Sequence, residues 1–213
     1  MNNSVSQELL KFLQKSPTAF HAVQQMKSEL LAVDFTELKE NQCWNIECGK
    51  HYLVTRNDSS LIAFTIPENG IDKMHILTSH SDSPTFKIKE NPEIEVEKHY
   101  VKLNVEKYGG MLCAPWFDRP LSVAGRVIIK DKTNGQFTSK LVNIDRDLVM
   151  IPNLAIHMNR EINSGYNYNA QKDLLPLYGC GSPKGTFMEQ IAEAAGVEKD
   201  EILGHDLFLY NRQ

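Results

Sequence analysis

In the stretch HILTSHSDSPTFKIK, residues 75–89, an apolar run meets a histidine and an aspartate two positions apart, His80 and Asp82. Both residue types do metal and proton chemistry: neutral imidazole is a common metal ligand, and a carboxylate behind it fixes tautomer and ring orientation. Asp82 could also orient a histidine that works as a catalytic base. Residues two apart in an extended strand share a face, so the pair converges if the strand reaches position 82 or the following turn keeps its direction. The competing reading is local, with His80 closing a strand and Asp82 making an Asx turn before Pro84. Spacing does not separate the two readings, and one histidine falls short of the roughly three protein ligands of a catalytic zinc.

The elements that must carry this pair can be read from periodicity. Leu9, Leu10 and Leu13 recur at helical spacing, and Phe20, Val23, Met26 and Leu30 continue it after Ser16-Pro17, an N-cap with proline at the first helical position, so two helices are expected. CWNIE (43–47), HYLVTR (51–56), SLIAFTIP (60–67) and MHILTSH (74–80) read as strands, separated by Gly49-Lys50, Asn57-Asp58 and Asn69-Gly70. The last is the most apolar and is expected to be the most central, and the C-terminal end of such a strand is where α/β sheets place ligands.

After Pro92 the pattern changes to alternation. HYVKLNVEKYGG, SVAGRVIIKD and QFTSKLVNI, with a turn at Asn134-Gly135, read as strands with one face on water. Thr186 and Glu189 have the spacing of a capping box ahead of a third helix through Ile191 and Ala195, and EILGHDLFLYNR reads as a closing strand. The expected fold class is α/β, with a helix-plus-sheet module over 1–90 and a mostly β module over 91–213.

Composition narrows the function classes. At 213 residues, 41% hydrophobic and 23% charged, the chain can bury a core without disulfides. A net charge of -4 gives no general attraction to nucleic acid or an anionic membrane. The N-terminus lacks the basic flank and apolar run of a secretory signal, and no window has membrane-spanning length, so a cytoplasmic protein is expected. Cys43, Cys48, Cys113 and Cys180 form no Cys-x-x-Cys pair and read as reduced thiols.

Four motifs then point further: SPTAFHAV (16–23), TSHSDSPTFKIK (78–89), VEKYGGMLCAPWFDRPLSVAGRVIIK (105–130) and IPNLAIHMNR (151–160). Their order and spacing resemble those of the M18 aminopeptidases, over essentially the whole chain. The resemblance implies a partial zinc-exopeptidase catalytic domain over 1–90, followed by a β-rich dimerisation domain over 91–213. It implies an enzyme that removes single N-terminal amino acids from peptides at two Zn2+ ions, with Co2+ or Mn2+ as substitutes, in a homo-oligomer built from dimers. His80 becomes the first metal ligand and Asp82 the catalytic carboxylate behind it. His157 resembles a family histidine that serves the substrate pocket across a dimer interface, though its motif alone would also allow a metal ligand, and the alternation of NLAIHM allows a core histidine.

Asp118 and Arg119 are adjacent and face opposite ways on an extended chain, so a structural role at an interface is expected, with Trp116 and Phe117 as buried anchors. Gly109-Gly110 reads as a turn or bulge needing positive φ. His21 is expected to pack or hydrogen-bond on its helix, and Glu189 with Glu193 to form a solvated helical face. The family's other requirements are a carboxylate bridging the metals, a glutamate base, further acidic ligands and a final histidine. They are expected beyond the stretch that this sequence covers, which leaves an inactive assembly module as the alternative function. An apolar sheet edge left open by that loss is expected to make the isolated chain poorly soluble. Whether acidic or neutral N-terminal residues are preferred stays open.

Overall fold

The computed structural model describes residues 3–132, 135–181 and 184–212, and the chain divides into two units, 1–83 and 84–213. The first unit opens with α1 (Asn3–Lys15) and α2 (Ala19–Leu31), followed by β1 (Phe35–Leu38), β2 (His51–Arg56) and β3 (Ser60–Thr65). β2 is the middle strand, parallel to β1 and antiparallel to β3. Its consecutive buried residues Tyr52, Leu53 and Val54 suit a strand covered on both faces, and α2 buries Phe20, Ala22 and Val23.

Three expectations for this unit change. α2 starts at Ala19, after Thr18 in extended backbone, instead of at Pro17; the Thr18 hydroxyl bonds His21 Nδ1 at 2.8 Å and caps no backbone N–H. CWNIE is not a strand; its polar groups are met by side-chain bonds instead of a ladder, the Trp44 indole donating to the Lys39 carbonyl and the Glu47 N–H to the hydroxyl of Tyr52 in β2. MHILTSH is not a strand either. An apolar strand needs a hydrogen-bonded neighbour and a covering layer; here Ile76 is 72% and Leu77 99% exposed, and among the described residues β3 pairs only with β2. Leu9, Leu10 and Leu13 of α1 are exposed as well.

His21 does pack and hydrogen-bond as its helical position suggested, and burial pushes its pKa from 6.5 down to about 4. Between those values the unfolded chain takes up a proton that the folded chain refuses, so stability rises with pH across the window and is lost as pH falls through it. After discounting for partial exposure, about 2 kcal/mol should disappear between about pH 6.5 and pH 4. Urea midpoints measured across that range should show the loss, and His21→Gln should flatten it.

The second unit contains β4 (Thr85–Val96), β5 (Tyr100–Tyr108), β6 (Leu121–Lys130), β7 (Phe137–Asn143), β8 (Leu177–Cys180), α3 (Phe187–Ala195) and β9 (Ile202–Asn211). Its six strands run in the order β7-β6-β9-β4-β5-β8 and pair antiparallel throughout. β4 runs through Pro92, which the ladder accepts because the register to β5 shifts between Ile88 and Glu93. β5, β6, β7 and β9 form where strands were expected, although β6 is buried almost throughout instead of turning one face to water; β8 and β4 were not among the expected strands, even though Phe86-Lys87-Ile88-Lys89 alternates and buries Phe86 and Ile88. The Asn134 half of the predicted turn lies outside the described residues.

One face of this sheet supplies Phe86, Ile88, Leu103, Val105, Leu121, Val123, Val127, Leu207 and Leu209 to the core, and α3 adds Phe187 and Ile191. Burying each of those two helical side chains contributes roughly 1.5–3 kcal/mol. The capping box does not form: Thr186 has helical backbone, and its hydroxyl bonds the Tyr178 hydroxyl at 2.8 Å. The Glu93 carboxylate, from the β4 bulge, accepts the Phe187 N–H at 2.7 Å and also the Gly185 N–H. A carboxylate there satisfies orphan donors and complements the helix dipole, so a distant residue does what the local motif was expected to do.

Candidate functional site

His80 and Asp82 sit in the non-strand segment that ends the first unit. His80 Nδ1 lies 2.9 Å from Asp82 Oδ1, so the aspartate holds one ring nitrogen and the other, Nε2, is left outward on a side chain that is 91% exposed. The segment is tied down beside them by the Ser81 hydroxyl, which donates to the Ser59 carbonyl at the β2–β3 turn at 2.7 Å. The convergence therefore arises without a strand. The turn at Ser81 keeps the two side chains together, with the spacing that alternation would have given.

A neutral imidazole backed by a carboxylate and open at its second nitrogen has the donor chemistry of a zinc ligand. Among the described residues, however, no group of three or more His, Cys, Asp or Glu side chains is arranged to hold a metal ion. The pair fits one ligand of a metal site and does not make a site by itself.

His157 lies in the second unit, in a turn over residues 156–158 of the long connection between β7 and β8, and it is exposed. The core-histidine reading of NLAIHM is corrected: Leu154, Ile156 and Met158 are 57%, 46% and 75% exposed, because turn backbone abolishes the two-residue alternation on which that reading rested. The connection is held at its far end by Asp173, whose Oδ2 accepts the Tyr166 hydroxyl at 3.1 Å and the Asn169 N–H at 2.8 Å. Sequence reasoning passed over GYNYNAQKD, where the Asn and Asp content was the available signal for an ordered loop.

Asp118 is structural. Its Oδ1 accepts the Asn153 N–H at 2.9 Å, and its backbone, at φ 56°, donates to the Ile151 carbonyl. Phe117 is buried, and Trp116 meets the Phe86 ring edge-on at 5.1 Å. Gly109 has φ 79° against Pro84. Glu189 and Glu193 stay on the surface, with Lys199 3.8 Å from Glu189. No described helix is long and apolar enough to cross a membrane.

Comparison with known proteins gives a consistent result. The family model described as aminopeptidase I zinc metalloprotease (M18) matches residues 12–213. A protein of Clostridium novyi (strain NT) named "Probable M18 family aminopeptidase 2" is 47% identical over 218 residues, covering 99% of this chain and 50% of that protein. Among solved structures, Chaetomium thermophilum mApe1 superposes with a TM-score of 0.85 at 33% identity, covering 97% of this chain and 50% of its own. The S. cerevesiae mApe1 dodecamer superposes with a TM-score of 0.78 at 26% identity, covering 98% of this chain and 48% of its own. This chain thus spans about half the length of the curated relatives it matches.

Proposed function

Because this chain belongs to the M18 peptidase family, we propose that it forms part of a zinc-dependent aminopeptidase that releases single N-terminal amino acids from peptides. The observation that carries the site is His80, held by Asp82 through Nδ1 with Nε2 open on an exposed side chain. In this reading His80 is one metal ligand and Asp82 sets its tautomer and basicity. His157 is the substrate-pocket residue contributed to a neighbouring copy. The first unit is part of the catalytic domain and the second is the dimerisation domain of a cytoplasmic homo-oligomer, a reading supported by the dodecameric relative. The remaining ligands come from the portion of the longer relatives that this chain does not match. That portion would also cover the exposed apolar run at Ile76 and Leu77 and pair with the open side of β3.

The test compares two proteins: this chain alone, and this chain fused to the unmatched portion of the Clostridium novyi relative. Each is given a panel of acidic and neutral N-terminal aminoacyl amides with zinc, with and without a chelator. Turnover by the fusion that the chelator abolishes, with none by the chain alone, is the expected result. A folded fusion inert on every substrate would overturn the aminopeptidase reading, and chelator-sensitive turnover by the chain alone would overturn the division of ligands.

A further inference from the structure

The second unit contains a cavity of about 190 Å³ that none of the site residues above explains. Its apolar part is made by Phe117 beneath and by Leu154, Ile162 and Leu175, with Tyr166 and Tyr168 beside them. Phe117 and Tyr168 meet tilted at 5.0 Å between centroids, and Tyr166 meets Tyr168 edge-on at 5.3 Å, so the three rings form one continuous aromatic cluster.

The polar part is charged and unusual in its pairing. Lys102, from β5, and Lys172 both line the cavity, and neither has an ion-pair or side-chain hydrogen-bond partner among the described residues. Asp173 lines it too; Oδ2 is taken by Tyr166 and Asn169, while Oδ1 is bonded by no described group. Two lysines with no ion-pair partner, an aspartate with one carboxylate oxygen free of donors and an aromatic cluster therefore line one space of amino-acid size. Pockets that recognise small ligands have this division, an apolar lining with a few convergent polar groups.

We propose that this cavity binds a free hydrophobic amino acid as its zwitterion. The α-carboxylate lies between Lys102 and Lys172, the α-ammonium on Asp173 Oδ1, and the side chain against Phe117 and Tyr168. A simple anion would leave the apolar wall and Asp173 unused, and a simple hydrocarbon would leave both lysines unpaired. Under the proposed function such a molecule is a reaction product, which makes the cavity a product-binding site on the loop that carries His157. The binding itself does not require turnover, so it can fail or succeed independently of the aminopeptidase reading.

Calorimetric titration of the full chain with L-leucine and L-phenylalanine tests the proposal. Saturable binding is expected, weakened about tenfold or more when the carboxylate is amidated and when Lys102 or Lys172 is changed to Met, since each removes a charge-assisted contact. The des-amino analogue isocaproate should bind more weakly than leucine through loss of the Asp173 contact. Lys→Met keeps the aliphatic stem, and an unchanged melting temperature shows that the variants fold. No binding of either amino acid at millimolar concentration, or binding indifferent to amidation and to both lysine changes, would overturn the assignment.

Discussion

Gly125→Ala should cost the second unit about 4 kcal/mol or more of stability. A Cβ built on Gly125 would lie 2.0 Å from the Asp206 carbonyl oxygen and 2.9 Å from Leu207 Cα. Those atoms are backbone of β9, so no rotamer change relieves the clash. β6 and β9 would have to part in the middle of a ladder running from Leu121 opposite Asn211 to Ile129 opposite Ile202. Both strands are interior to the six-stranded sheet, and Val123, Val127 and Leu207 around the contact are fully buried. Parting them also strains the charge cluster on the opposite face. There Lys87 donates to Asp206 at 2.8 Å and Arg126 at 3.1 Å; burial alone would raise the Asp206 pKa, but these bonds outweigh it and hold the carboxyl low.

A domain's whole stability is roughly 5–15 kcal/mol, so the substitution should leave the unit poorly folded at ordinary temperature. Gly204→Ala is the control. It lies on the same β9 ladder, opposite Ile128, where a Cβ meets nothing within 4 Å. Thermal unfolding followed by circular dichroism should show Gly204→Ala within a few degrees of the parent and Gly125→Ala far below it or insoluble. A Gly125→Ala protein with the parent's melting temperature would mean that the two strands can separate there without loss.

What could be read in the residues was set by how local the determinant is. β5 was legible because alternation across 100–108 reports a strand with one buried face, a property of that strand alone, whereas β6 forms where it was expected but is buried on both faces, which its neighbours decide. The cap of α3 was not, because Glu93 is 92 to 94 positions from the N–H groups it satisfies and the Thr186–Glu189 spacing offered a plausible local substitute. MHILTSH misled for the opposite reason. Its apolar composition describes the neighbours such a segment requires, and the described residues of its own unit do not supply them. The same distinction applies to the site. The His80–Asp82 contact depends on a spacing of two and was visible, while the Lys102, Lys172 and Asp173 cavity is assembled across 71 positions of chain by the pairing of β5 with the loop before β8.

Under the proposed function, His80→Ala in the fusion with the unmatched portion of the Clostridium novyi relative should lower kcat/KM by about a thousandfold or more, since His80 is there one of the metal ligands. Asp82→Asn should do less. The amide oxygen can still accept from Nδ1–H at the observed 2.9 Å, but the negative charge that raises the ring's basicity is gone. Loss of about 10–100-fold in zinc affinity is expected, read by competition with a chromophoric chelator. The local reading, an Asx turn with no chemistry, predicts little loss from either change. In that case Asp82→Asn would keep the turn and His80→Ala would matter little, because a side chain 91% exposed contributes little packing. Stability separates the two readings independently of rate. His80→Ala should unfold within about 0.5 kcal/mol of the parent, as substitution of a 91% exposed side chain does, so a large fall in its turnover without a fall in stability points to chemistry at the ring. If both variants of the fusion instead retained full turnover and full zinc affinity, His80 would be a surface histidine that happens to face an aspartate, and its role in the proposed function would fall.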